Sequence, residues 1–265
     1  MAESETAVRA ETEAADTATL LDRASPADVR TDPFPHLVLD DALPTDLYRT
    51  LAESYPSVEQ MVGTSVTLGS NQRFPFSAFM VEWAPWIDAA WQRFAAAHTS
   101  RAFLRRVHAL FDGHWTDAAE AVWAGLDDAR LGLFMRDEAD ILCDARLEIN
   151  TPVTERPSSV RGGHLDTPNR LFSALFYMRP PDDDTEGGDL ALYRFRDGQV
   201  PDGPLDVFAF PDAQLEEVAR VPYAANRLVI FPNRPTALHG VTPRPVTPWT
   251  RRYVFVTAEV GRELF

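Results

Sequence analysis

His164-Leu165-Asp166, together with His239 far downstream, is the grouping in this chain best equipped for chemistry. Two imidazoles and one carboxylate can occupy one triangular face of an octahedral metal and leave three positions open. That arrangement suits non-haem Fe(II) that must hold a chelating co-substrate and still bind O2. Residues i and i+2 of a strand point to the same side, so His164 and Asp166 can reach one ion together. The second imidazole must then come from a distant strand. A bare H-x-D is weak evidence, because Gly162-Gly163 before it and Thr167-Pro168 after it would equally suit a surface loop. The surrounding elements have to decide.

Those elements read as strands. Arg146-Leu-Glu-Ile-Asn150, Leu171 to Met178, Gly187 to Tyr193, Asn226 to Phe231 and Arg251 to Thr257 are short apolar or alternating runs bounded by Pro, Gly, Asn or Asp, the pattern of sandwich strands. In order, Arg146 to Glu259 carries H-x-D, a strand ending in Tyr177, Gly187-Gly188-Asp189-Leu190, a strand ending Phe231-Pro232-Asn233, His239 and Arg252-Tyr253. In this ordered set the chain resembles the Fe(II)- and 2-oxoglutarate-dependent oxygenases, particularly their prolyl-hydroxylase-like branch. A looser resemblance covers Asp32 to Pro56, where Pro33-Phe-Pro-His-Leu-Val-Leu-Asp-Asp-Ala-Leu-Pro44 looks like the lead-in of such enzymes. The resemblance implies a mainly β fold, a double-stranded β-helix (jelly-roll, cupin-like), with N-terminal helices packed on one sheet.

It also implies the site. Fe(II) would be held by His164, Asp166 and His239, with 2-oxoglutarate and O2 as co-substrates and succinate and CO2 as products. Related halogenases have a small residue at the carboxylate position, so Asp166 favours hydroxylation. The far carboxylate of 2-oxoglutarate needs a cation in a dry pocket, which a planar guanidinium suits best. Arg244, Arg251 and Arg252 follow His239. Alternation puts Arg251, Tyr253 and Phe255 on one face and Arg252, Val254 and Val256 on the other. The resembled family has a basic residue directly before an aromatic on this strand, which matches Arg252-Tyr253, so Arg252 is expected to point into the barrel while the aromatics pack outward against the helices. Tyr177 is expected on the same carboxylate. Asn150 and Glu148, alternating with Arg146 on a polar strand face, are candidate contacts to co-substrate or substrate. Arg161, Asn169 and Arg170 flank the metal motif as candidate substrate contacts. His36, His98, His108 and His114 have no partner at ligand spacing, and His98 and His108 read as structural.

Composition narrows the function classes. The net charge is −15 and all 25 basic residues are Arg. Lacking Lys, the chain has no Schiff-base chemistry, and its acidity argues against nucleic acid, whose phosphates it would repel. No run of 18 apolar residues predicts a membrane span. Cys143, the one cysteine, reads as a buried small apolar residue and fits a reducing cytoplasm. Residues 1 to 20 are expected to be a disordered tail without signal- or transit-peptide character. Residues 21–265 then form one oxygenase domain, with 21–135 mostly helical support and lid, and 136–265 the jelly-roll core.

Within 21–135 the periodicity predicts helices over Thr45 to Ser54, Pro85 to Ala97, Ser100 to Phe111 and Asp117 to Ala129, with Trp86, Ala90, Phe94 and Ala97 on one core-facing stripe. Val62 to Ser77 reads as a loop able to cover the site, and Pro201 to Pro211 as a rim insertion. The expected activity is hydroxylation of an unactivated C–H of a small molecule such as an amino acid, a sugar or another secondary metabolite. The alternatives are a protein prolyl or aspartyl hydroxylase and a cupin-like metal-binding protein without turnover. The sequence leaves the oligomeric state open.

Overall fold

The computed structural model describes residues 17–201 and 209–265. Most of the expected tail, residues 1–16, and most of the rim insertion, residues 202–208, lie outside the described residues. The end of the expected tail does not behave as one. Leu20 is fully buried, and its backbone N–H donates to His98 Nε2 at 3.0 Å. Apolar burial and a satisfied buried imidazole outweigh the entropy of ordering these residues.

Among the described residues six α-helices precede the main strands: α1 (Thr45–Glu53), α2 (Val58–Val62), α3 (Ala78–Trp83), α4 (Ala89–His98), α5 (Arg101–Leu110) and α6 (Asp117–Trp123). The side chains of Ser57, Asp88, Ser100 and Thr116 cap α2, α4, α5 and α6 by accepting free backbone N–H groups, as helix starts require. Asp88 explains why the helix expected from Pro85 begins later. Trp86 therefore sits outside the helix, 42% exposed, and Trp91 takes the core position. The helix expected to reach Ala129 ends at Trp123.

The strands are β1 (Leu37–Leu39), β2 (Arg73–Phe76), β3 (Leu131–Leu133), β4 (Ile141–Asn150), β5 (Arg170–Tyr177), β6 (Leu190–Phe195), β7 (Leu215–Val221), β8 (Arg227–Pro232), β9 (His239–Val241) and β10 (Arg251–Val260). The large sheet runs β1-β8-β5-β10-β4-β2, with β3 added parallel to β4; the small sheet runs β7-β6-β9. The expected loop of Val62 to Ser77 thus contains an edge strand, β2, paired with β4 from Arg73↔Asn150 to Phe76↔Leu147.

Two cores follow from strand alternation. On one face of the large sheet Phe172, Phe176, Leu147, Ile149, Leu228, Ile230, Val254 and Val256 pack with Trp91, Phe94, Phe103 and Leu104 of the helices. On the other, Leu175, Tyr177, Val229, Phe231, Tyr253 and Phe255 meet Leu190 and Leu192 of the small sheet. This is the jelly-roll arrangement of two sheets, with a helical layer buttressing the larger one. Filling the outer core with aromatics matters energetically: deleting a buried Trp or Phe side chain costs about 3–5 kcal/mol. Cys143 is buried in that outer core.

Candidate active site

The space between the sheets holds the triad. His239 opens β9, and His164 lies beside it in an isolated bridge closed by two backbone hydrogen bonds, His164 N to His239 O at 2.8 Å and the reverse at 3.1 Å. Asp166, two residues on, joins the same side. Each side chain offers an atom within 4.8 Å of the others. His164 Nε2 lies 3.9 Å and His239 Nε2 3.7 Å from the Asp166 carboxylate, and all three residues are 4% exposed.

Their chemical states suit ligation. His164 Nδ1 sits 2.7 Å from Gly162 O, and His239 Nδ1 2.9 Å from Ala237 O. A carbonyl can only accept, so each Nδ1 carries the proton and each Nε2 presents a lone pair. Burial holds both imidazoles below their ordinary pKa and therefore neutral. Burial alone would raise Asp166, but the Arg170 guanidinium and the Ser173 hydroxyl work against it, and the carboxyl lies well below the usual carboxylate range. Ser173 Oγ donates to Asp166 Oδ2 at 2.5 Å, and Arg170 Nη1 stands 3.1 Å from Oδ1. Arg170 is itself fixed by Glu259 Oε1 at 2.7 Å.

The guanidinium facing this interior is that of Arg251. Its side chain is 1% exposed and surrounded by three tyrosine rings, 5.1 Å from the centroid of Tyr177, 4.9 Å from Tyr223 and 4.7 Å from Tyr253. Arg251 Nε donates to Gly188 O at 3.0 Å, and Nη1 approaches Asn150 Oδ1 at 3.5 Å. Arg252 points to the helical side, its guanidinium 5.5 Å over Tyr55. The expected orientation of the arginine pair is therefore reversed. Cross-strand partners share a face, and Arg251, Tyr253 and Phe255 pair with Asn150, Glu148 and Arg146, the polar face of β4. Tyr253 and Phe255 belong to the core between the sheets, and Val254 and Val256 to the helical one. Arg244 is also buried, but it is occupied by Asn71 Oδ1, Thr151 O and Trp249 O at 3.3, 3.3 and 2.5 Å.

Three buried donors around Arg251 have no hydrogen-bond partner among the described residues: Arg251 Nη2, Tyr177 Oη and Asn150 Nδ2. Burial pushes the Tyr177 phenol up to about 12, so it stays a donor. Buried donors left unpaired are rare and costly. A carboxylate, which only accepts, would satisfy all three; this donor set therefore fits the far end of 2-oxoglutarate, just as two neutral imidazoles and an ionised carboxylate fit Fe(II).

The remaining sequence candidates divide. Arg161 lies at the triad, Nη1 3.5 Å from Asp166 Oδ1, and Arg170 is buried against the same carboxylate. Glu148 is buried on the inner wall. Asn169 instead donates from Nδ2 to Val260 O at 3.2 Å. Sequence reasoning missed Ser173, Glu259 and Tyr223. Ser173 alternates with Tyr177 on β5, a legible signal; Tyr223 lies outside any strand, and its role follows only from the folded chain. His98 and His108 are structural as expected: His98 bridges Leu20 N and Phe94 O, and His108 stacks on Trp123 at 5.3 Å.

Compared with known families, residues 157–257 match the 2OG-Fe(II) oxygenase superfamily. No curated protein matches the sequence. Among solved structures, similarity is found to a Pseudomonas putida prolyl-4-hydroxylase at 17% identity, covering 85% of this chain and 92% of that one, TM-score 0.46. A Trichoplax adhaerens prolyl hydroxylase, solved with a hypoxia inducible factor peptide fragment, is 10% identical over 96% and 92%, TM-score 0.45. AviO1 from Streptomyces viridochromogenes Tue57 is 11% identical over 86% and 90%, TM-score 0.47. The matched segment carries the triad and Arg251 alike. That match spans 101 of the 265 residues, and among the described residues His164, Asp166 and His239 form a group that could hold a metal ion.

Proposed function

We propose that this protein is an Fe(II)- and 2-oxoglutarate-dependent dioxygenase that hydroxylates an unactivated C–H bond of a small molecule. The unpaired donors of Arg251, Tyr177 and Asn150 carry this reading, Tyr177 lying on the same strand as Ser173, which contacts Asp166. A protein that only stored or sensed metal would gain nothing from a buried carboxylate anchor. In this reading His164, Asp166 and His239 hold the metal, and the carboxylate at the third position favours hydroxyl transfer over halogenation. Arg251 neutralises the far carboxylate of 2-oxoglutarate, while Tyr177 and Asn150 fix its direction. Ser173 and Arg170 keep Asp166 ionised and oriented, as outer partners of ligating carboxylates do. Leu175, Phe231 and Leu192 make the intervening walls apolar and exclude water, which strengthens the charge pairing inside. Bound there, Fe(II) with 2-oxoglutarate and O2 supplies the oxidising power, releasing succinate and CO2.

Anaerobic addition of Fe(II) and 2-oxoglutarate should produce a weak visible charge-transfer band. With O2 but no substrate, succinate should form slowly, and the true substrate should accelerate it. Absence of the band favours the non-catalytic metal-binding alternative. Stimulation by peptides carrying prolyl or aspartyl residues, and by no free small molecule, favours the protein hydroxylase.

A further inference from the structure

The donors around Arg251 leave one set of buried groups unexplained, and these have the opposite polarity. Glu148 lies on the inner face of β4, two residues from Asn150 and across the ladder from Tyr253. It is 1% exposed. Its Oε1 accepts from Arg146 Nε at 2.8 Å, but Oε2 has no hydrogen-bond partner among the described residues. A second guanidinium, that of Arg73 on edge strand β2, stands with Nε 3.7 Å from Oε2, its side chain 45% exposed. The wall continues to the triad: Arg146 and Arg170 lie 4.7 and 5.0 Å over the Phe255 ring, and Arg170 pairs with Asp166.

A buried carboxylate oxygen without a donor is destabilising. 2-Oxoglutarate cannot relieve it, because its carboxylates and ketone are acceptors and would be repelled by Glu148. The missing partner must bring a hydrogen-bond donor, and opposite a buried anion a compact cation serves best. Arg73, half-exposed and separated from Glu148 by a long ion pair, is suited to an anionic group on the same molecule. Resting on the oxygenase reading above, we propose that Glu148, Arg146 and Arg73 form the substrate subsite and that the substrate is a small zwitterion, an amino acid or close derivative, presenting its ammonium to Glu148 and its carboxylate to Arg73.

The test uses the intact protein with Fe(II) and 2-oxoglutarate under anaerobic conditions. Free α-, β- and ω-amino acids, their N-acetyl and methyl-ester derivatives, simple sugars and end-blocked peptides are titrated against the charge-transfer band. If no band forms in the wild-type protein, the oxygenase reading itself fails. If the band forms, at least one free amino acid should shift it and accelerate succinate release on admitting O2. Blocking either its amine or its carboxylate should weaken binding about tenfold or more, a difference of roughly 1.4 kcal/mol. Glu148→Gln should lose affinity for the free amino acid while retaining the band. Arg73→Gln, which leaves Glu148 its hydrogen bond from Arg146, should weaken binding of the same compound and not of its methyl ester. A band shifted only by sugars or blocked peptides, or by nothing in the panel, overturns the proposal; so does unchanged affinity in both variants.

Discussion

Arg251 and Asn150 stand opposite one another in the β4–β10 ladder, and Nη1 of the arginine lies 3.5 Å from Oδ1 of the asparagine. That leaves Arg251 Nη2 and Asn150 Nδ2 both unpaired in the dry interior. Gly188 makes the arrangement possible. Its backbone φ is +73°, and a Cβ there would come within 3.3 Å of the Arg251 side chain whose Nε its carbonyl holds. A left-handed residue without a side chain is needed at this point.

The pairing predicts an asymmetry between neighbouring arginines. Removing one partner of a buried ion pair typically costs about 3–5 kcal/mol, so Arg251→Ala should weaken 2-oxoglutarate binding by roughly two to three orders of magnitude. Arg252→Ala, on the helical face, should weaken it less than about tenfold. Anaerobic titration of the charge-transfer band measures both; equal losses would mean that the guanidinium facing Tyr177 is not the anchor.

Much of this was legible in the sequence because alternation is a strong constraint. The face shared by Arg251, Tyr253 and Phe255 was evident, as was the polar face of Arg146, Glu148 and Asn150. What the sequence did not show was that these two faces pair. Aromatic residues suit either core, so the match of Arg252-Tyr253 to the family's pattern of a basic residue before an aromatic placed Tyr253 and Phe255 on the helical layer and Arg251 outward. The small helix α3, the edge strand β2 and the burial of Leu20 depend on long-range partners: Asp144 Oδ1 accepts Ala78 N at 2.9 Å at the start of α3, and His98 receives Leu20. No local pattern encodes such contacts.

The triad should be dispensable for folding. The two apolar cores on either side of the large sheet do not include His164, Asp166 or His239. His164→Ala or His239→Ala should abolish tight Fe(II) binding, and a chelator should leave the circular-dichroism spectrum intact. Unfolding on chelation would mark a structural metal and remove the catalytic assignment.

Two buried groups give opposite pH signatures. Burial pushes His98 down to about 4 from 6.5, and pushes Asp144 up to about 6 from 3.8. A depressed histidine contributes stability above 6.5 that is lost as pH falls toward 4. A raised carboxyl contributes stability present below 3.8 that is lost as pH rises through 6. Each is worth roughly 3 kcal/mol across its window, so they nearly cancel in the intact protein. Urea unfolding between pH 7 and 4 should show His98→Gln losing less stability on acidification than wild type, and Asp144→Asn losing more. Parallel profiles in all three would show that neither group titrates as its burial requires.

The approach of His164 to His239 depends on Gly240. A Cβ at that position would meet the backbone C and O of Gly162 at 2.7 Å and the Gly163 nitrogen at 2.9 Å. None of these atoms can swing aside as a side chain could. Gly240→Ala must therefore separate β9 from the segment that carries His164 and Asp166, stretching the two backbone hydrogen bonds that bring the imidazoles together. Because β6 still pairs with β9 through Leu190↔Val241, the small sheet should survive while the ligand geometry does not. Metal affinity should fall at least about tenfold, equivalent to roughly 1.4 kcal/mol, with only a few degrees' change in melting temperature of the metal-free protein. Gly162→Ala, where a Cβ would meet nothing within 4 Å, is the control and should bind metal as wild type does. Undiminished affinity in Gly240→Ala would show that the two ligand-bearing segments are not held by their close backbone contact.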